Sequence, residues 1–287
     1  MSILKYFSFI KFSHTLFAMP FAMIGFFMGV KSSGYTIDWK LFLFVVLCMI
    51  FARNAAMGFN RYLDRSIDKK NKRTSMREVP AGLISERAVI TFIIINSVLF
   101  CLSAYFINYL TFILSPVALI VILGYSYTKQ FTALCHFILG LGLALAPIGA
   151  YISVTAEFHL IPVIFSLIVL FWVSGFDILY ALQDEDFDRK ENLKSIPVLI
   201  GRKLSLYLSS LLHLIVVALL FISGYIGEFG LFYWIGTALF VALLFYQHVI
   251  IKPKDISRLN IAFFTTNGIA SVLFGIAVIV DILMNKA

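Results

Sequence analysis

Leu160-Ile-Pro-Val-Ile-Phe-Ser-Leu-Ile-Val-Leu-Phe-Trp-Val-Ser-Gly-Phe-Asp177-Ile-Leu-Tyr180-Ala-Leu182 runs straight into Gln183-Asp184-Glu-Asp-Phe-Asp188-Arg-Lys190. The first part is a long apolar run with a single charge, Asp177. A helix needs about 20 such residues to cross roughly 30 Å of hydrocarbon, so this segment reads as a membrane span. The abrupt change to acid marks where it leaves the lipid.

The rest of the chain repeats that pattern. Of 287 residues 61% are hydrophobic and 13% charged, with a mean hydropathy of +0.96; globular proteins carry about 25% charged residues. Thirty Phe, seventeen Gly and three Cys exclude a disordered, collagen-like or disulfide-stapled chain. Cutting wherever charge or turn residues interrupt the runs gives nine spans, at 13–30, 41–59, 88–107, 109–124, 132–154, 160–182, 204–226, 229–251 and 260–284. The predicted fold is an all-α polytopic bundle forming one domain over residues 1–287. Cys48, Cys101 and Cys135 fall inside apolar runs and read as small packing residues.

Lys and Arg set the orientation. With the N-terminus in the cytoplasm, 20 of the 23 basic residues lie inside, and only Lys31, Lys40 and Lys286 lie outside. The net charge of +8 thus follows from topology, and neither a nucleic-acid partner nor an obligate protein partner is expected. The first run contains Pro20 and lacks a small-residue cleavage site, which reads as a retained helix.

Polar chemistry gathers in two loops. After the second span the chain reads Asn60-Arg-Tyr-Leu-Asp64-Arg-Ser-Ile-Asp68 with no helix breaker. Continued as a helix, positions i, i+4 and i+8 drift about 80° around the axis and line one face. After the sixth span, Asp184 and Asp188 repeat the spacing. Each acid of the second pair lies 120 residues beyond its counterpart in the first. Four spans intervene, so both pairs emerge on the same side, as a parallel duplication of residues 10–130 and 131–251 plus an extra helix at 260–284 would arrange. Paired carboxylates repel unless neutralised, and Mg²⁺ achieves this with one or two carboxylates, waters and substrate phosphate oxygens. The alternative is a solvated helix end on which Arg61, Arg65 and Lys69 pair with the acids. Surrounding Arg53, Lys72, Arg73, Arg77, Lys129, Arg189 and Lys194 suit a diphosphate. A diphosphate with a long apolar tail fits a site at the polar end of a lipid-embedded bundle.

At these motifs the sequence resembles the UbiA superfamily of intramembrane aromatic prenyltransferases, over nearly its whole length. Asn60, Asp64 and Asp68 match the family's Asn-x3-Asp-x3-Asp, Asp184 and Asp188 its Asp-x3-Asp, and Tyr125 and Lys129 its Tyr-x3-Lys. Lys72 to Gly82, Gly142 to Ala150, Phe176 to Ala181 and Lys194 to Pro197 resemble the 4-hydroxybenzoate polyprenyltransferase branch. Where members that bind 4-hydroxybenzoate often carry an Arg near the first span, this chain has Lys11 and His14. Many members also follow the motif Lys with Arg, where this chain has Gln130. The stretch from Lys11 to Ala22 resembles a subgroup implied to prenylate a dihydroxynaphthoate for menaquinone.

The resemblance implies Mg²⁺-dependent transfer of a polyprenyl group from polyprenyl diphosphate to an aromatic acid, ortho to a hydroxyl, in respiratory quinone biosynthesis. It implies metal held by Asn60, Asp64, Asp68, Asp184 and Asp188, catalysis by the four Asp with Lys129, and substrate contacts from Asn60, Arg53, Arg65, Arg77, Tyr125, Asp177, Tyr180 and Lys194. The setting implied is the bacterial inner membrane with the site on the cytoplasmic face. Asp177, seven residues before Asp184, returns to nearly the same helix face; it reads either as proton acceptor or acceptor-orienting group, or as a buried acid paired with Arg53 or a Tyr. His136, His159, His213 and His248 have no metal-ligand spacing and read as packing or interfacial residues. Gly140, Gly142 and Gly149 read as sites of close helix approach. The rival class is a secondary transporter, but such proteins place their coupling acids near the midplane, where Asp177 alone is expected.

Overall fold

The computed structural model describes residues 15–34, 36–253 and 255–285; Lys11 and His14 lie outside them. Among the described residues nine principal helices follow one another: α1 (Thr15–Ser32), α2 (Trp39–Leu63), α4 (Glu86–Tyr105), α5 (Tyr109–Thr128), α6 (Cys135–Thr155), α7 (Leu160–Ala181), α9 (Ile196–Ile226), α10 (Leu231–Ile250) and α11 (Asn267–Met284). Two short helices, α3 (Arg65–Lys70) and α8 (Glu185–Lys190), follow α2 and α7. Among the described residues eight helical segments are long and apolar enough to cross a membrane, and the first helix contributes a shorter apolar stretch, Ala18–Ser32. The protein is an integral membrane protein with the expected all-α polytopic fold.

Helix starts follow from local chemistry. Asp38 Oδ1 accepts from the Lys40 and Leu41 amides at 2.8 and 3.1 Å, closing the first turn of α2. Asn108 accepts from Thr111 N at 2.8 Å to start α5, while its amide donates to the Ile152 and Ser153 carbonyls ending α6. Such caps satisfy terminal groups that lipid cannot.

The helix of the opening stretch, α7, is the most enclosed. It packs between α6 and α9, and Phe165, Ile168, Trp172 and Ile178 are wholly buried, as expected of a helix apolar all round. Phe21 of α1, Phe240 of α10 and Phe274 of α11 join Trp172 in an aromatic core. Outer faces carry exposed Ile120, Leu214 and Phe245, which suits contact with lipid tails. Exposed Trp39 sits at the start of α2, as an interfacial anchor would.

The structure corrects several sequence-based expectations. The helix through Asn60 to Asp68 is interrupted at Asp64 (φ −82°, ψ 1°), so Asp68 is carried by α3. The end of α7 likewise tightens into a 3-10 turn, Leu182–Asp184, with Gln183 Nε2 donating to the Tyr180 carbonyl at 2.9 Å. The seventh span begins at Ile196, eight residues before the expected start. Pro197 sits in its first turn, and the helix absorbs a break at Gly201 (φ 76°); Arg202, read as loop, pairs with Glu185 at 2.7 Å. Close approach holds at Gly140, where a Cβ would come within 2.5 Å of the Leu170 carbonyl, but Gly149 has open space and Gly142 only ordinary contact. Cys48, Cys101 and Cys135 are free thiols.

Asp177 is not the only acid inside a span. Asp281 of α11 is 2% exposed, and its carboxylate accepts from the Gly230 and Tyr233 amides at 2.8 and 3.2 Å. One carboxylate thereby caps α10 from a neighbouring helix. Asp281→Ala leaves two amides unpartnered and is expected to cost about 1–3 kcal/mol, seen as a lower melting temperature in detergent. An unchanged melting temperature would contradict this role.

Candidate active site

α2 and α3, the end of α5, and α7 with α8 converge on one polar cavity of about 160 Å³. Asn60, Asp64, Asp68, Asp184, Asp188, Lys129 and Arg77 all line it, and Asn71, Arg73, Thr74 and Gln130 complete its polar wall. Both acid pairs thus face one space, although neither lies on an unbroken helix.

Each acid has its own partner. Asn60 Nδ2 donates to Asp64 Oδ2 at 2.9 Å. Arg77 Nη1 lies 2.8 Å from both Asp68 oxygens. Arg73 donates through Nε and Nη2 to Asp184 at 3.1 and 2.5 Å, and Asn71 Nδ2 adds a third bond at 3.2 Å. Lys129 Nζ lies 2.8 Å from Asp188 Oδ1. The second pair is therefore neutralised by groups from the first half of the chain. Lys70 to Glu191, at 2.6 Å, makes a further link of this kind.

Three of these partners, Arg73, Arg77 and Lys129, were named in sequence as surrounding bases, but Asn71 was missed. Its only signal was its place one residue beyond the short helix that carries Asp68. Other expected residues are not brought into the cavity. Arg65 pairs with Glu86 at 2.9 Å and lies over the Tyr62 ring, Arg189 pairs with Glu185 at 3.1 Å, and Lys194 is exposed, its backbone amide donating to the Lys129 carbonyl and its carbonyl accepting from Cys135 Sγ. Nor does the helix-end pairing hold: Arg61 is buried, with Nε and Nη1 lacking hydrogen bonds, and the acids are neutralised by the loop and α5 instead.

Tyr180 flanks the site, stacked on Phe263 at 3.9 Å, with Arg73 5.8 Å above its ring. Beneath the cavity Tyr125 lies within electrostatic range of Asp64, Asp177 and Arg53. Asp177 pairs with His136, whose Nδ1 lies 2.7 Å from Oδ2, a partner the sequence reading did not name. His213 and His248 pair with each other at 2.8 Å.

The electrostatics fit a cation. Asp188 is fully buried, and neither of its oxygens accepts a hydrogen bond of good geometry. Burial alone would lower the Lys129 ammonium, but Asp188 outweighs this and holds it above its ordinary range. Burial first, then the charge of Asp68, push the Asp64 carboxyl up to about 6, against the pull of Lys129, Arg77 and Asn60. Among the described residues no three His, Cys, Asp or Glu gather closely enough to hold a metal alone. A divalent cation here would need oxygens from water or a phosphate beside each carboxylate pair, the coordination that Mg²⁺ accepts.

Fold and site together define an intramembrane protein with a diacidic, base-rimmed cavity at one end of a helical bundle. The chain belongs to the UbiA prenyltransferase family, whose model matches residues 18–269, and is a prenyltransferase enzyme. It is 32% identical to 4-hydroxybenzoate octaprenyltransferase of Aliivibrio fischeri (strain MJ11) over 83% of this chain and 82% of that protein. With the namesake of Cronobacter sakazakii (strain ATCC BAA-894) it shares 31% identity over 86% and 84%. The apo structure of a UbiA homologue from Aeropyrum pernix K1 superposes with a TM-score of 0.84 at 28% identity, covering 93% of this chain and 98% of that one. A UbiA homologue from Archaeoglobus fulgidus bound to GPP and Mg²⁺ shares the fold (TM-score 0.79, 23% identity, 97% and 99% covered).

The raised Asp64 carboxyl fixes a pH dependence. Its folded value lies above the unfolded one, so the charged form burdens the fold fully above about pH 6 and not at all below the ordinary carboxylate range. A divalent cation requires the charged form. Mn²⁺ affinity, titrated between pH 5 and 7.5, should fall as pH drops through about 6, approaching about tenfold per unit. A flat profile would contradict the assignment.

Proposed function

We propose that the protein transfers a polyprenyl group from polyprenyl diphosphate to an aromatic acid of the 4-hydroxybenzoate class, ortho to its hydroxyl, with Mg²⁺ as cofactor, in respiratory quinone biosynthesis. The observation that carries this reading is the convergence of Asp64, Asp68, Asp184 and Asp188 on one cavity. The names of the curated relatives support the acceptor class, and the A. fulgidus homologue with GPP and Mg²⁺ supports the donor and the metal. The excess of Lys and Arg on one side supports a bacterial inner-membrane protein with its site facing the cytoplasm.

In this reading Asn60 and the two carboxylate pairs hold the cations, while Lys129, Arg73 and Arg77 donate to phosphate oxygens. Cations bound there would neutralise the diphosphate and stabilise the charge that grows on it as the allylic C1–O bond breaks. The same bases pair with the acids, Arg73 with Asp184, Arg77 with Asp68 and Lys129 with Asp188. Lipid-buried helices keep water from the allylic carbon. Tyr180, held by Phe263, and Tyr125 border the space below the diphosphate. Arg53 lies beside Tyr125, whereas Arg65 and Lys194 point elsewhere and have at most an indirect part.

The test is protein in detergent with Mg²⁺, radiolabelled polyprenyl diphosphate and a panel of 4-hydroxybenzoate, dihydroxynaphthoate and homogentisate. Product with 4-hydroxybenzoate is expected; product with none, or uptake into sealed vesicles without turnover, would defeat the reading. Asp64→Ala and Asp184→Ala should each lower turnover about a hundredfold or more while the melting temperature stays near that of the parent. Turnover retained in either variant would contradict the metal assignment.

A further inference from the structure

The chain between α8 and α9 is bound residue by residue to the elements around the cavity. Asn192 takes a left-handed conformation (φ 55°) and turns the chain back. Leu193 N then donates to the Asp188 carbonyl at 2.9 Å, and Lys194 N to the Lys129 carbonyl at 2.7 Å. Cys135 Sγ donates to the Lys194 carbonyl at 3.6 Å, and Ile196 N donates to His136 Nε2 at 3.3 Å. These bonds clamp the backbone on both sides of Ser195, which is 1% exposed.

Ser195 stands at the position that begins α9, with an extended backbone (φ −145°, ψ 160°), yet its side chain caps nothing. A serine there ordinarily accepts from the amide two or three residues on. Two residues on is Pro197, which has no N–H, and the hydroxyl does not bond the Val198 amide either. Oγ is buried and completes no aligned hydrogen bond. A buried hydroxyl left in this state is costly, and a group that can use it lies beside it. The Asp188 carboxylate is within hydrogen-bonding range of Ser195. Asp188 is itself fully buried, and neither of its oxygens completes an aligned bond, although Lys129 Nζ sits 2.8 Å from Oδ1. A donor and an acceptor are therefore shut in together but stay out of line while Lys129 holds the carboxylate.

We propose that Ser195 is the positioning residue of Asp188: its hydroxyl donates to one carboxylate oxygen and leaves the other for a divalent cation in the cavity. The inference rests on the metal-dependent reading above and adds to it a residue that does not itself line the cavity. Mg²⁺ tolerates little departure from octahedral geometry, so a carboxylate that gives it one oxygen serves best when the second oxygen is held. A hydroxyl suits the task because it donates without bringing charge, whereas the Lys129 ammonium competes with a cation for the carboxylate. With that ammonium turned to a phosphate oxygen, Ser195 becomes the remaining donor to Asp188 among the described residues. The clamped backbone already fixes where this donor stands, so holding the carboxylate demands little further ordering. The same segment bonds the Lys129 carbonyl, and one short strap thereby sets both partners of Asp188.

Starting a helix and orienting a carboxylate make different demands at this position. Glycine begins a helix nearly as well as serine but has no hydroxyl, while threonine keeps one. The probe is Mn²⁺, titrated by electron paramagnetic resonance into protein in detergent with a non-hydrolysable thiolo analogue of geranyl diphosphate. Ser195→Ala and Ser195→Gly should each weaken Mn²⁺ binding about tenfold or more, with melting temperatures in EDTA near that of the parent. Ser195→Thr should bind Mn²⁺ much as the parent does. In transfer assays with GPP and 4-hydroxybenzoate, the two variants without a hydroxyl should need about tenfold more Mg²⁺ for half-maximal rate, with kcat largely restored at saturating Mg²⁺. Parental Mn²⁺ affinity in Ser195→Ala or Ser195→Gly would overturn the proposal, as would a loss in Ser195→Thr equal to that in Ser195→Ala. A lowered melting temperature in Ser195→Ala with Mn²⁺ affinity intact would show that the residue only starts α9, and would overturn it too. A parent protein that binds no Mn²⁺ would instead overturn the metal reading on which the inference stands.

Discussion

Four carboxylates in one small cavity at the edge of a membrane repel one another, and the rest of the structure is arranged around that repulsion. Asp68 and Asp188 are buried, and Asp64 is so placed that its carboxyl holds its proton more tightly than an ordinary one. Such a site survives only if positive charge is brought to it. The chain supplies Arg73 and Arg77 from the loop after α3 and Lys129 from the end of α5. Since Arg73 and Lys129 reach across to acids of the other half, neutralising the site also fastens the two halves together.

The same constraint accounts for the breaks in the helices. A continuous helix would carry Asp64 and Asp68, or Asp184 and Asp188, straight out along its axis. Instead α2 stops at Asp64 and α7 tightens at Leu182–Asp184, turning the second acid of each pair inward, where Asp188 becomes fully buried. The central position of α7 follows from its lack of a polar face, and the turn that follows it delivers Asp184 to the cavity. The proposed chemistry on an allylic diphosphate calls for charge at the cavity and an apolar surrounding that keeps water from the reactive carbon.

Much of this was legible in the sequence because lipid enforces simple rules. Runs of apolar residues marked the spans, and the twofold recurrence of acids at i and i+4 marked the site. What stayed hidden depends on tertiary contact. The breaks at Asp64 and Leu182 carry no Gly or Pro, and Arg202, inside α9, pairs with Glu185 from a separate element. Arg65, a substrate contact by the family resemblance, is turned instead to Glu86. His136 stood alone in an apolar run, and its bond to a residue 41 positions away follows from the packing of α6 on α7. Asp281 was unremarkable until α11 placed it at the start of α10.

The account stands on both carboxylate pairs gripping metal around a single diphosphate. Crystals grown with Mn²⁺ and a non-hydrolysable thiolo analogue of geranyl diphosphate, measured at the manganese absorption edge, examine that directly. Anomalous peaks within coordination distance of the Asp64–Asp68 pair and of the Asp184–Asp188 pair, with the diphosphate between them, are the predicted result. Manganese at one pair only, or a diphosphate seated away from both, would contradict it.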